Sequence, residues 1–400
     1  MDQELLHDVF RREIRDRKIP LSLGKTCPVK CSFCYEKDTS YRQTFDTPLT
    51  TQEHWEFIKK EIAKYPVRED ESWVIGGNEY MEWTDLFIHP KALYWLEEFL
   101  ETTRRNVTMF TVGYTHPEKI NKLAEKYPGR INYELSVITL GRYRKQLMPH
   151  GPSVDQVLRI IDGPAVTSAN FYSFGPHTLS EDAKTISRVN PEVVLWVGCL
   201  TPLKHIDPET TALMRQGKKF LPDEARRVHD YNLPNRIMIH TESDINAFLH
   251  RNKIMKVFDA CELDKKDTVI MAGNVYKILT LFRRNRARYL HIPNATLGGD
   301  TDCTAMLTFS DVAARLTDQR VVYLPRVIME KPSDEISDIA GVTFEEFQNQ
   351  HPHCRFKVLN KINSGLINRK LYEKGYLKNY VEDYIQNPLS KKFEAVALPN

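Results

Sequence analysis

The 400-residue chain has no uninterrupted apolar run approaching the roughly 20 residues that a membrane-crossing helix needs. Its opening, Met1-Asp2-Gln3-Glu4, leads into a charged amphipathic stretch through Arg17 with no apolar signal core. Charge of one sign is scarce too. With 56 Lys and Arg against 53 Asp and Glu the net charge is +3, too slight to argue for a nucleic-acid or anionic-membrane surface. Cysteine is sparse and odd in number: of seven, Cys199, Cys261, Cys303 and Cys354 stand singly. That excludes a disulfide framework and makes a reducing cytoplasm the expected location.

The other three cysteines are grouped. Cys27-Pro28-Val29-Lys30-Cys31-Ser32-Phe33-Cys34 sets three thiols at C-x-x-x-C-x-x-C spacing, close enough to grip one small inorganic centre. With no fourth thiol or His in the run, a four-metal cluster held there keeps one corner for a substrate or cofactor. Three plainer readings stand beside this one: a zinc knuckle, a redox pair in Cys31-x-x-Cys34, and buried structural cysteines. A structural zinc site normally closes four ligands, and no partner motif lies nearby.

From about residue 20 to 205, short β-rich runs alternate with amphipathic helical runs, the pattern of parallel β-α units. Six strands are expected, at Pro20–Leu23, Ser72–Ile75, Val107–Val112, Ile131–Ile138, Ala165–Tyr172 and Val193–Gly198. The first helix is predicted to start at a capping box, Thr50-x-x-Glu53. In such folds binding groups gather at the carboxyl ends of the strands. Three stretches fall there: the Cys loop, Gly76-Gly77-Asn78-Glu79, and Glu134-Leu135-Ser136. Paired glycines let backbone approach a ligand closely, and Glu134 and Ser136 share one strand face by the two-residue period. Arg142 and Arg144 follow, either as a carboxylate clamp or as a solvated helix face.

Regularity weakens over 206–265, a connecting or lid segment with short helices at Asp207–Gln216 and Asp223–His229, a strand at Arg236–Ile239 and a helix at Ser243–Val257. The chemistry of His205, His229 and His240 is that of ordinary surface or core histidines. From 266 to 400 the pattern reads as a smaller α+β domain.

The Cys loop resembles that of the radical S-adenosylmethionine (SAM) superfamily. The resemblance implies a 4Fe-4S cluster on Cys27, Cys31 and Cys34, with SAM chelating the fourth iron. One electron then cleaves the sulfonium to a 5′-deoxyadenosyl radical. It further implies that Phe33 packs beside the adenine, and that Glu134 and Ser136 meet the SAM ribose or carboxylate, with Arg144 near the carboxylate. Gly76, Gly77 and Glu79 resemble the Gly-Gly-Glu motif that holds the SAM amino group. Asn78 is inserted before the acid, so either Glu79 or backbone carbonyls make that contact. The implied fold is α/β, a partial (β/α)6 barrel over 1–205, and the implied electron donor is a flavodoxin or ferredoxin. Oxygen sensitivity follows from a SAM-ligated cluster.

A narrower likeness lies in the tail. Asn294, Leu297-Gly298-Gly299, Thr301–Thr308, Asp311 and Leu324-Pro325-Arg326-Val327 resemble a C-terminal domain of unknown function that follows the barrel in one little-characterised radical SAM group. Leu135-Ser136-Val137, Arg144–Met148 and Val197-Gly198-Cys199-Leu200-Thr201 are similar to the same group. Its N-terminal PDZ-like domain is expected to be lacking, since the Cys loop begins at residue 27.

The expected activity is hydrogen abstraction from a small polar biosynthetic substrate, followed by rearrangement, cleavage or group insertion. The alternatives are radical modification of RNA or protein, and a non-catalytic metal- or redox-binding regulator. Cys199 reads either as a radical donor or as a packed thiol. The four single cysteines lack the spacing of an auxiliary cluster. The basic run Arg283–Arg288 reads as a solvated edge in preference to an RNA contact.

Overall fold

The computed structural model of the protein describes residues 3–15, 17–21, 27, 29–34, 49–68, 71–75, 85–240, 263–273, 276, 279–280, 286–298, 307–325, 338, 340 and 342–359. They fall into two compact units. The first comprises Met1–Lys37, Thr44–Leu200 and Ile206–His240; the second comprises Asp38–Gln43, Thr201–His205 and Thr241–Asn400. Among the described residues no helix is long and apolar enough to cross a membrane.

The larger unit begins with α1 (Gln3–Arg15), β1 (Lys18–Ile19), α2 (Gln52–Ile62), β2 (Ser72–Ile75), α3 (Ala92–Thr103) and β3 (Asn106–Thr111). It continues through α4 (Pro117–Lys126), β4 (Ile131–Ile138), α5 (Arg144–Leu147), α6 (Val154–Ile161) and β5 (Val166–Tyr172). Last come α7 (Thr178–Val189), β6 (Val194–Gly198), α8 (Pro208–Asp230) and β7 (Ile237–His240). The seven strands pair in chain order, β1 to β7, and every pair is parallel. A doubly wound sheet reverses its strand order partway; this one never does.

Burial follows from that order. Right-handed crossovers advancing in one direction carry their helices to one face of the sheet. Accordingly, β4 sinks Ile131, Tyr133, Leu135 and Val137 into the core while Asn132, Glu134 and Ser136 stay half-buried on the opposite face. β2 alternates in the same way, with Trp73 and Ile75 buried.

Several local expectations are corrected. The helix expected as the first is α2, preceded by α1, and it is capped by Thr51, one residue later than predicted: its hydroxyl accepts the His54 amide (3.2 Å), and His54 Nδ1 accepts the Thr51 amide (3.3 Å). The two short helices expected after residue 206 are one helix, α8. Gly217 is no break there. A Cβ at that position would lie 1.8 Å from the Ser173 carbonyl oxygen, so its glycine serves close approach of helix to strand end. The strand expected at Arg236–Ile239 forms as β7, but it belongs to the larger sheet, as a seventh strand at the edge of β6, and not to a separate connecting segment. The predicted helix at 243–257 lies outside the described residues.

The smaller unit holds β8 (Thr268–Met271), β9 (Arg288–His291), α9 (Phe309–Ala313), β10 (Val321–Pro325), α10 (Phe344–Gln350) and β11 (Arg355–Leu359). Its four strands are all parallel, in the order β11-β10-β8-β9. This is an α/β arrangement and corrects the α+β expectation. Parallel pairing needs crossover connections, but α9 and α10 have only five and seven residues, too few to show a helical period in the sequence. A core of Ile270, Val322 and Leu324 with Phe309, Phe347 and Phe356 packs this unit, and the Phe309 and Phe347 rings stack at 4.6 Å.

Candidate functional site at the carboxyl edge of the larger sheet

The Cys loop is pinned from below by Val29, fully buried, and turns at Lys30, whose φ of +50° is left-handed. The Cys34 amide donates to the Cys31 carbonyl (3.3 Å), closing a turn across Ser32 and Phe33. The Ser32 amide donates to the Leu147 carbonyl at the end of α5 (2.9 Å). The loop is thereby tied to the segment that leaves β4. Cys27, Cys31, Cys34 and Phe33 are half-buried, and none of the three thiols is in a disulfide. The Ser32 hydroxyl, in the run between Cys31 and Cys34, is buried without a hydrogen-bond partner among the described residues. Three reduced thiols in one loop are a soft donor set suited to iron–sulfur or zinc. Among the described residues, however, no three His, Cys, Asp or Glu side chains are gathered as a metal-holding group.

The segment that receives the loop is strained and heavily braced. Ile138 ends β4 with φ +66°, an outlier for a β-branched residue. The Thr139 amide donates back to the Val137 carbonyl (2.9 Å) across it, closing a tight γ-turn of the rare, strained hand. Arg144 brackets that turn: its Nη1 donates to the carbonyls of Val137 (2.5 Å) and Thr139 (3.0 Å). Its Nε and Nη2 both donate to the Pro152 carbonyl (3.1 and 2.9 Å). Asp182 of α7 adds a second brace, accepting the Thr139 hydroxyl (2.7 Å) and the Leu140 amide (3.0 Å). Burial raises the Asp182 pKa to about 6 against those hydrogen bonds. Burial likewise lowers the Arg144 pKa, against the pull of Asp182 and Cys31, which lie within electrostatic reach. Arg144 therefore corrects the clamp expectation. It is buried with four of its five donors given to backbone carbonyls, and its role is to hold the β4–α5 turn on which the Cys loop rests. Arg142 is exposed, its guanidinium over the Tyr143 ring.

Glu134 and Ser136 do share the open face of β4, as the two-residue period requires. Glu134 stands in register with Phe110 of β3 and Ser168 of β5, and Ser136 with Asn170. Burial alone raises the Glu134 pKa to about 7, since no ion pair or hydrogen bond among the described residues opposes it. A carboxyl so perturbed on an otherwise neutral strand face marks a functional candidate.

Gly76, Gly77 and Glu79 lie outside the described residues, as do Cys261, Cys303 and the run 281–285. Cys199 follows β6 and is buried. Cys354, in the smaller unit, donates its thiol to the Gln319 carbonyl (2.9 Å), and burial raises its pKa. The tail motif residues are braces of that unit. Asn294 accepts the Leu297 amide (2.8 Å), and Asp311 accepts the amides of Ala295 and Thr296 and caps α9.

Two residues of the larger site escaped the sequence reading. Asp182 was legible, since it lies on the apolar face of α7 with Leu179 and Ile186, where an acid needs a reason. Ser168 was not, because a bulge at Thr167 shifts the β5 register and defeats counting by twos. No family model matches the chain, and no curated protein matches it.

Proposed function

We propose that the protein is a radical SAM enzyme, with a 4Fe-4S cluster on Cys27, Cys31 and Cys34 and its larger sheet curved into a partial barrel. The observation that carries this reading is the docking of the three-thiol loop, through Ser32 and Leu147, at the carboxyl edge of a parallel sheet whose strands run in strict order. The sequential order and the one-sided burial of its strands support the barrel. The donors fit the cluster in kind: three reduced, half-buried thiols and, in the run between Cys31 and Cys34, a hydroxyl unsatisfied among the described residues.

When bound, the cluster and SAM supply one-electron cleavage of a C–S bond and with it a hydrogen-abstracting radical. The chain's own work is positioning and exclusion of water. Arg144 and Asp182 fix the β4–α5 turn, and that turn fixes the Cys loop. Phe33 offers an apolar side chain beside the thiols for the adenine, and Ser136 a hydroxyl for the ribose. Gly76 and Gly77, with either Glu79 or backbone carbonyls, hold the methionine end. The substrate is a small polar metabolite received on the open strand face, and the electron comes from a flavodoxin- or ferredoxin-type donor in a reducing cytoplasm.

The test is anaerobic reconstitution with iron and sulfide, followed by SAM and dithionite and quantification of 5′-deoxyadenosine. About four irons per chain and slow nucleoside release, both lost in Cys31→Ala, are expected. Protein that takes up only zinc, or that loads iron fully and cleaves no SAM, overturns the proposal.

A further inference from the structure

We propose that the open face of the larger sheet carries an ammonium-binding subsite built on Glu134 and Ser168. The two residues are register partners on adjacent parallel strands, so their side chains leave the same face about 5 Å apart. Ser168 is 3% exposed, and its hydroxyl has no hydrogen-bond partner among the described residues. Glu134 is half-buried, and no donor or cation among the described residues reaches it. A buried hydroxyl left unsatisfied beside a largely desolvated carboxyl is uncommon in a folded protein, because the hydroxyl forfeits solvation without a replacement.

One ligand group can satisfy both. An ammonium has three N–H donors, so it can give one to the Glu134 carboxylate and one to the Ser168 oxygen while neutralising the buried charge. A hydroxyl supplies a donor but no charge, and an anion adds repulsion to a carboxylate already short of solvent. The neighbours agree with a cation. Phe110, in register on β3 and 37% exposed, presents an aromatic ring, and Asn170 and Trp196 bring polar and aromatic groups without formal charge. The bulge at Thr167 is what sets Ser168, and not its neighbour, opposite Glu134.

With the methionine end of SAM assigned to the Gly76–Glu79 stretch, an ammonium reaching this subsite comes from a substrate amine, which rests on the radical SAM reading. The subsite needs neither iron nor turnover, so its test stands apart from that of the radical reading. Full-length, metal-free protein labelled with carbon-13 at glutamate carboxyls is titrated with 2-phenylethylammonium and, separately, with the uncharged 2-phenylethanol. The Glu134 resonance, identified by its loss in Glu134→Gln, is expected to titrate near neutral pH and to fall by a unit or more with the amine but not with the alcohol. Glu134→Gln weakens amine binding at least tenfold and Ser168→Ala severalfold, with thermal unfolding showing both variants folded. Binding of the amine undisturbed by SAM is expected; displacement of the amine by SAM overturns the assignment to a substrate amine. Equal binding of amine and alcohol, equal binding by Glu134→Gln and the parent, or no binding of the amine at about 10 mM, a weak but measurable range for a fragment, overturns the subsite.

Discussion

In the larger unit a strand such as β4 sends Tyr133, Leu135 and Val137 inward and keeps Asn132, Glu134 and Ser136 on a second, half-open face. In the smaller unit all four residues of β8, Thr268 to Met271, are buried. Both sheets are wholly parallel, so pairing is not the source of the difference; strand order is. Strands laid down in sequence gather their crossovers on one side and leave the other for a ligand along their length. In the smaller sheet β9 and β10 lie on opposite sides of β8, which reverses the order and covers the central strand on both faces. An open face can host polar groups without partners, as at Glu134 and Ser168. A doubly covered strand has less such room, and two buried acids of its unit, Asp311 and Asp338, accept backbone amides.

The contrast breaks most sharply if the larger unit does not depend on its buried polar braces. Arg144→Met strips the carbonyls of Val137, Thr139 and Pro152 of their donor and is expected to cost about 3–5 kcal/mol, as when one partner of a buried charged network is removed. Urea denaturation of the full chain measures it, and a loss below about 1 kcal/mol sinks the bracing role. Gly217→Ala forces a methyl against the Ser173 carbonyl and should cost about 3 kcal/mol. Near-parent stability would show that α8 does not press on the end of β5.

Asp182 sharpens the same point through pH. Its folded pKa of about 6 lies above the unfolded value near 3.9, so folding favours its protonated form. Its contribution to stability is greatest below about pH 4 and declines as pH rises to about 6. Asp182→Asn keeps an acceptor for Thr139 and Leu140 and should remove on the order of 2–3 kcal/mol of that decline. An unchanged difference between unfolding free energies at about pH 4 and pH 7 would assign the titration elsewhere. The smallest effects come from the caps. Thr51→Ala in α2 and Thr343→Ala in α10 each remove a reciprocal capping box and should each cost about 1 kcal/mol. Amide exchange should register each loss in its own helix, and a loss confined to one would mean that the other is held by packing alone.

Much of the larger sheet was legible because its strands alternate in burial. β4 runs over Ile131–Ile138 as the two-residue period says, and the face of Glu134 and Ser136 follows from it. The Cys loop was legible from spacing alone. What failed was whatever depends on contacts distant in sequence. Gly217 reads as a helix breaker until Ser173 is known to lie against it. Arg144, beside Arg142 and Lys145, reads equally as a carboxylate clamp or as surface charge, and only the fold of the turn around it reveals that it is buried. The smaller unit was misread as α+β because its crossover helices α9 and α10 are too short to show a helical period in the sequence.

The tether between Ser32 and Leu147 has a use of its own. Its amide can trade hydrogen for deuterium only when the loop lifts from α5, so its protection factor counts those openings. Any metal or cofactor that stiffens the loop must slow that trade. Isotope uptake at one backbone position thus becomes a gauge of occupancy that needs no colour, no turnover and no knowledge of what has bound.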